Sequence, residues 1–144
     1  MIALFWDDDE GAGDVQWTDG ELVIDGYDLQ TAVFISLFTD KHDGSREVGD
    51  QGGWYGTEFD DDGDEWGSLL WTLERDLATE ANRRLAETYA QESLQWLIDD
   101  GFASSVVATA TYDKSIPSIV RRDMRVEVQR PDEIAPRLIG VWEF

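Results

Sequence analysis

Residues 79–112 read TEANRRLAETYAQESLQWLIDDGFASSVVATATY, and the spacing of the apolar residues changes inside this stretch. Up to Asp99, Leu85, Ala86, Tyr89, Ala90, Ser93, Leu94 and Leu97 recur every three or four residues. That is one wide stripe of a helix, predicted to run from Glu80 to Asp99. Thr79 is placed to cap it, because its hydroxyl can accept an otherwise orphaned N–H of the first turn. Gly101 is placed to end it in the left-handed conformation that glycine adopts without steric cost. Beyond Gly101 the period falls to two, and Ser105–Tyr112, rich in Val and Thr, reads as a strand.

Working outward toward the C-terminus, Asp113–Ser118 contains Pro117 and reads as a turn. Val120, Arg122, Met124, Val126 and Val128 then alternate with Arg121, Asp123, Arg125 and Glu127, a strand that Pro131 ends. A last strand over Leu138–Phe144 would put Leu138, Gly140, Trp142 and Phe144 on one side. Working toward the N-terminus, Trp66, Leu69, Leu70 and Leu73 at i, i+3, i+4 and i+7 predict a helix over 65–76. Residues 40–64 hold six glycines and many acids and read as a long loop, a binding element or a mobile one. Asp28–Thr39 reads as a buried helix with Asp28 as its cap, although its Val, Ile and Phe also suit a strand. Val15–Trp17 and Leu22–Ile24 flank Thr18-Asp19-Gly20-Glu21, a hairpin signal. The fold class that follows is α+β: an N-terminal hairpin and helix, a long acidic loop, two helices, then a mostly antiparallel C-terminal sheet. A single domain over 1–144 is expected, with 1–14 and 40–64 as acidic segments able to flex.

The chain has 144 residues, is 42% hydrophobic and contains seven Trp, enough for a real core. No run of 18 apolar residues suggests a membrane span, and MIALFWDDDE lacks the basic start of a secretory signal. Without cysteine there are no disulfides, thiolate metal sites or thiol nucleophiles. The net charge of −21 is uneven: residues 1–65 carry 19 acids and two bases, whereas 114–144 carry five acids and six bases. Such an acidic chain repels phosphate, so nucleic-acid binding is not expected. The charge serves solubility first; the alternative is steering toward a basic partner.

The side chains offer little for catalysis. A glycosidase needs two carboxyls held apart across a cleft, one with a raised pKa, whereas these acids crowd into Gly-rich turns. Glu58, Asp60, Asp62 and Gly63 occupy spacings of a calcium loop, but Leu69 stands where that loop needs a bidentate Glu. His42 is the single histidine, set between Lys41 and Asp43 in a polar loop. Gly52-Gly53-Trp54-Tyr55-Gly56 lacks the Lys-Ser/Thr of a phosphate loop. Its glycines instead suggest a turn that presents two rings, either to the domain's own core or to a partner. No catalytic, cofactor or metal residue is therefore assigned. Trp54, Tyr55, Trp142 and Phe144 are the candidate partner-binding residues.

Four motifs in order carry a resemblance: Asp28-Leu-Gln-Thr-Ala-Val-Phe-Ile-Ser-Leu-Phe-Thr-Asp40, Gly-Gly-Trp-Tyr-Gly, Gly67-Ser-Leu-Leu-Trp-Thr-Leu-Glu-Arg75 and Gln95-Trp-Leu-Ile-Asp-Asp-Gly101. They resemble the Mu-type phage baseplate family over roughly residues 20–131, a family distantly similar to the wedge protein that initiates the sheath in contractile tails. The resemblance implies a structural part of a baseplate in the virion tail, assembled in the bacterial host cytoplasm and without enzymatic activity. Its implied partners are other wedge proteins, the sheath and the tail tube. The broader wedge family carries Glu-Pro-Arg just after the Trp that ends the long helix. Here Trp96 is followed by Leu97-Ile98-Asp99-Asp100-Gly101, so that contact is not carried over. A DNA-mimic inhibitor and a cell-wall hydrolase are the alternatives from other classes.

Overall fold

The computed structural model describes residues 4–7, 12–15, 17–18, 21–22, 28–54, 66–116 and 118–144. Two short antiparallel ladders come first. Strand β1 (Leu4–Asp7) pairs with β2 (Ala12–Val15), and β3 (Trp17–Thr18) with β4 (Glu21–Leu22). In the second ladder Thr18 faces Glu21, so Asp19-Gly20 is the two-residue stretch between the strands that the hairpin signal marked. The β1–β2 ladder had no counterpart in the sequence reading.

Helix α1 (Asp28–Phe38) resolves the helix-or-strand ambiguity of its sequence. Leu29, Val33 and Leu37, at i, i+4 and i+8, are buried, and Phe34 and Phe38 pack half-buried beside them. The helix 65–76 expected next is shorter, a 3₁₀ turn over Leu70–Leu73. Its start is delayed because the preceding backbone is committed elsewhere. Ser68 N–H donates to the Thr39 carbonyl (2.9 Å) and the Lys41 N–H to the Ser68 carbonyl (3.0 Å). The buried Ser68 hydroxyl donates to the Leu37 carbonyl and accepts the Leu70 N–H. Gly67 allows this approach. Its φ is +95°, and a Cβ there would stand 2.1 Å from the Thr39 oxygen. Beyond the turn, the Arg122 guanidinium donates to the Leu73 (2.6 Å), Glu74 (3.2 Å) and Asp76 (2.5 Å) carbonyls, at a helical end where N–H partners run out.

The long helix is present but interrupted at Leu94–Gln95. Helix α2 (Glu80–Ser93) is capped by Thr79, whose hydroxyl accepts the Asn82 N–H (3.1 Å) as anticipated. At Leu94 the turn tightens, its N–H shared between the Ala90 and Gln91 carbonyls, and α3 (Trp96–Asp99) follows. The tightening lets Leu94 and Leu97 both reach the core while the Trp96 indole N–H turns to the Ser36 hydroxyl (3.0 Å). Gly101 follows the C-cap with φ +78°.

Three antiparallel strands complete the fold in the order β5 (Ser105–Asp113), β6 (Arg121–Gln129), β7 (Arg137–Glu143). Met124, Val126 and Val128 face inward and are fully buried, with Val106, Ala110 and Trp142 beside them. Helix α2 packs on β5 and α1 on β7. Each large apolar side chain fully buried in such a core contributes about 1.5–3 kcal/mol.

Strand β7 departs from simple alternation. Val126 faces Gly140 but Glu127 faces Leu138, so Ile139 is an extra residue, a β-bulge. The bulge turns Leu138 to the outer face, where it is 45% exposed, and Ile139 inward onto the core. Leu138 therefore does not share a side with Gly140 and Trp142. Gly140 is a glycine because the Trp142 ring lies over it, 2.3 Å from where a Cβ would sit.

The outer edge of β5 is closed by side chains. On α2, Arg83, Glu87 and Gln91 lie at i, i+4 and i+8, beside the buried Ala86 and Ala90. The Gln91 amide donates to the Val106 carbonyl (2.8 Å) and accepts the Ala108 N–H (3.3 Å). Glu87 accepts the Ala110 N–H (3.0 Å), and Arg83, paired with Glu87, donates to the Ala110 carbonyl (3.0 Å). A helix thus supplies the hydrogen bonds that a fourth strand would have made.

Two substitutions test this packing. Leu94→Ala should cost about 2–5 kcal/mol in urea unfolding, because its side chain is fully enclosed. Gln91→Ala should cost about 1–3 kcal/mol, because it strips two backbone groups of β5 of their partners. A loss under about 0.5 kcal/mol would mean that water serves that edge equally well.

Candidate partner-binding surfaces

With β5 closed, β7 is the sheet's other boundary. Among the described residues no strand lies beyond it and no side chain bonds to its backbone. Phe144 N–H donates to the Arg122 carbonyl (2.9 Å). By the strand's alternation, Trp142 and Gly140 turn their backbone groups to β6, and Val141 and Glu143 turn theirs outward. An unpaired row of this kind is a template for another chain.

The outer sheet face beside this edge is nearly neutral despite the charge of the chain. Arg121 pairs with Asp123 (2.9 Å) and Glu143 (3.9 Å), and Arg125 with Glu127 (3.1 Å). Val107, Leu138 and Val141 stand exposed among these pairs. Carboxylates here alternate with guanidiniums along β6, which is not the unbroken row of negative charge that a nucleic-acid mimic presents. Exposed pairs of this kind add little stability. Their effect is to lower the repulsion that an approaching chain would meet.

A second surface is the segment after α1. Residues 41–53 wrap around Trp71. The Trp71 indole N–H donates to the Lys41 carbonyl (3.0 Å), the Arg46 guanidinium lies 5.0 Å from its ring centre, and Gly52 sits against the ring. Asp43 accepts from Ser45 N–H (3.1 Å), Ser45 hydroxyl (2.6 Å) and Arg46 (3.1 Å), and the Ser45 bonds hold its carboxyl below the usual range. His42, exposed, meets Gln51 at 3.3 Å. Gly52 (φ +59°) and Gly53 (φ +102°) then turn the chain to Trp54, which is 45% exposed. Tyr55, and the acidic run with Glu58, Asp60, Asp62 and Gly63, lie outside the described residues.

The two C-terminal aromatics serve the domain's interior to different degrees. Trp142 is only 5% exposed and meets Phe34 and Phe38 edge-on at 6.2 and 6.4 Å. Its ring is a core element under β7. Phe144 is half-buried against Tyr112 at 6.2 Å.

Among the described residues no carboxylate is raised as the acid of an acid–base pair would be. Among the described residues, those shifted from the ordinary range are Asp43, Glu80 and Asp113, and all three are held below it. Glu80, bonded by Arg83 and Arg84, lies at about 2. A general acid working near neutrality needs the opposite shift. Among the described residues no cluster of His, Asp and Glu is placed to hold a metal ion, and no helix is long and apolar enough to cross a membrane.

The sequence missed the elements that organise these surfaces: Trp71 under the loop, and the Arg83–Glu87–Gln91 row. The spacing of that row was visible, but a polar row beside an apolar stripe reads as solvated.

Comparison with known proteins gives the family. The family model described as "Phage protein GP46" matches residues 29–135, from the first turn of α1 to the connection before β7. The chain is 40% identical over 111 residues to the Mu-like prophage FluMu protein gp46 of Haemophilus influenzae, covering 76% of this chain and 75% of that one. It is 36% identical over 113 residues to the baseplate protein gp46 of Escherichia phage Mu, covering 73% of this chain and 72% of that one. With two curated relatives above 30% identity and a family model spanning both the helices and the first two strands of the sheet, the chain belongs to the GP46 family of Mu-type phage proteins.

Proposed function

We propose that this chain is a structural subunit of a contractile tail baseplate, joining wedge subunits and offering one sheet edge as the template on which the first sheath strands pair. Its place is the virion tail, near the tube, after assembly in the host cytoplasm. Its role is non-enzymatic. The observation that carries the reading is the asymmetry of the sheet: α2 occupies the β5 edge, while β7 is left with outward backbone groups at Val141 and Glu143. Strand addition at such an edge draws affinity from main-chain bonds and register from alternate side chains. The name of the phage Mu relative supports the baseplate setting.

Val141→Pro is the direct test. Proline at an edge position removes an outward N–H and leaves the β6 ladder intact. The purified variant should melt within about 1 kcal/mol of the parent, yet tails carrying it should show baseplates without polymerised sheath in negative stain. Full-length sheaths on those tails would move the templating site away from β7. Trp54, 45% exposed beyond a segment braced on Trp71, is proposed as an anchor for a neighbouring subunit. Trp54→Ala should leave stability within about 1 kcal/mol while reducing co-purification of baseplate neighbours. A large drop in Tm with unchanged co-purification would assign the ring to the domain's own packing.

A further inference from the structure

On the side of the molecule where α1 and α3 meet the connection after β6 lies an open cavity of about 480 Å³. Leu29 and Leu97 form its buried base, and Trp96, Phe102 and Pro131 are among its walls. Phe102 stands on the turn that Gly101 makes possible and meets Trp96 edge-on at 5.9 Å. It is 58% exposed.

The chemistry of this groove selects among occupants. A small-molecule site places a few polar groups to orient its ligand. Here the indole N–H of Trp96 is already taken by Ser36, and no buried side-chain polar atom among the described residues lacks a partner. The groove therefore suits an apolar side chain whose orientation is fixed by the segment that carries it. Its surroundings set the charge of that segment. Asp99 and Asp100 precede Gly101 and Asp132 follows Pro131, against the single base Arg130, on a chain of net charge −21. An acidic segment would be repelled, and a basic one steered in.

We infer that this groove docks a partner protein through one aliphatic or aromatic side chain carried on a lysine- or arginine-rich segment. The aromatic wall is fixed before binding, so the anchor meets a preformed surface and little ordering is required. The inference does not rest on the wedge reading or on the β7 edge. It concerns a different face, and either can fail while the other stands.

The test uses the full chain labelled with ¹⁵N and a short synthetic peptide with Leu-Phe at its centre and lysine pairs on both sides. The Trp96 indole resonance and those of Phe102 and its neighbours should shift, with the effect weakened by added salt. Replacing Leu-Phe by Ala-Ala, or the lysines by glutamates, should weaken binding about tenfold or more. Phe102→Ser should do the same with an unchanged melting curve. Asp132→Lys, which leaves the apolar walls intact, should weaken the lysine peptide and spare a peptide with neutral flanks. Equal binding of the Ala-Ala peptide, or shifts spread over the acidic loops, would reduce the effect to bulk charge attraction and overturn the proposal. So would silence at Trp96 and Phe102. Concentration-dependent self-association abolished by Phe102→Ser would make a second copy of this chain the occupant, and would also overturn it.

Discussion

The fit of α2 along the outer edge of β5 is the contact from which the rest of the arrangement follows. A three-stranded sheet has two edges, and each exposes backbone groups that must be satisfied. On the β5 side, Arg83, Glu87 and Gln91 satisfy them from a helix whose next stripe, Ala86 and Ala90, is buried in the core. The small residues of both elements matter. Alanines at 86, 90, 108 and 110 let the helix come close enough for a glutamine and a glutamate to reach main-chain atoms. Once α2 is fixed there, α1 lies over β7, with Phe34 and Phe38 against Trp142. Among the described residues, the edge that remains open is thereby chosen by where the helices sit, not by the composition of the strand itself.

This explains which parts of the fold were legible in the sequence. The Thr79 cap, the Gly101 stop and the switch from period 3.6 to period 2 are local signals, and each took the form expected. What failed to show were features set by distant residues. The interruption at Leu94 accompanies a bond from Trp96 to Ser36, 60 residues earlier. The shortening of the expected 65–76 helix follows from Gly67 and Ser68 locking to the exit of α1. Leu138 reads as inward by parity, and only the unpaired Ile139 reverses it. A one-residue bulge inverts every side chain on one side of it, and nothing in RLIGVWE announces where it falls.

The candidate surfaces were legible to a smaller extent, for a related reason. Aromatic residues were recognisable as important, but the sequence could not separate Trp142, enclosed under β7, from Trp54, exposed on its loop. Both are tryptophans near glycines. The distinction comes from what lies beneath: Trp54 stands beyond a loop braced on Trp71 and Arg46, while Trp142 has two phenylalanines of α1 against it. The resemblance to the Mu-type family named the setting without naming a contact. The missing Glu-Pro-Arg after Trp96 removed the one residue-level inference that the wider wedge family could have supplied.

The two faces argued for differ in the kind of recognition they can give. An open β7 edge bonds through backbone and accepts many sequences, so alone it would pair with any exposed strand. That promiscuity is a hazard for a protein destined for a crowded assembly. The strongly acidic charge of the chain limits it by keeping copies apart, while the paired charges of β6 leave the region beside the edge nearly neutral, so that repulsion is lowest at the proposed pairing edge. The groove at Phe102 supplies the complementary term. It contributes nothing through backbone, but it discriminates by the size of one side chain and by the charge around it. An edge that binds without selecting and a groove that selects through a single anchor can together place a neighbour in one orientation, because only the correct partner engages both at once.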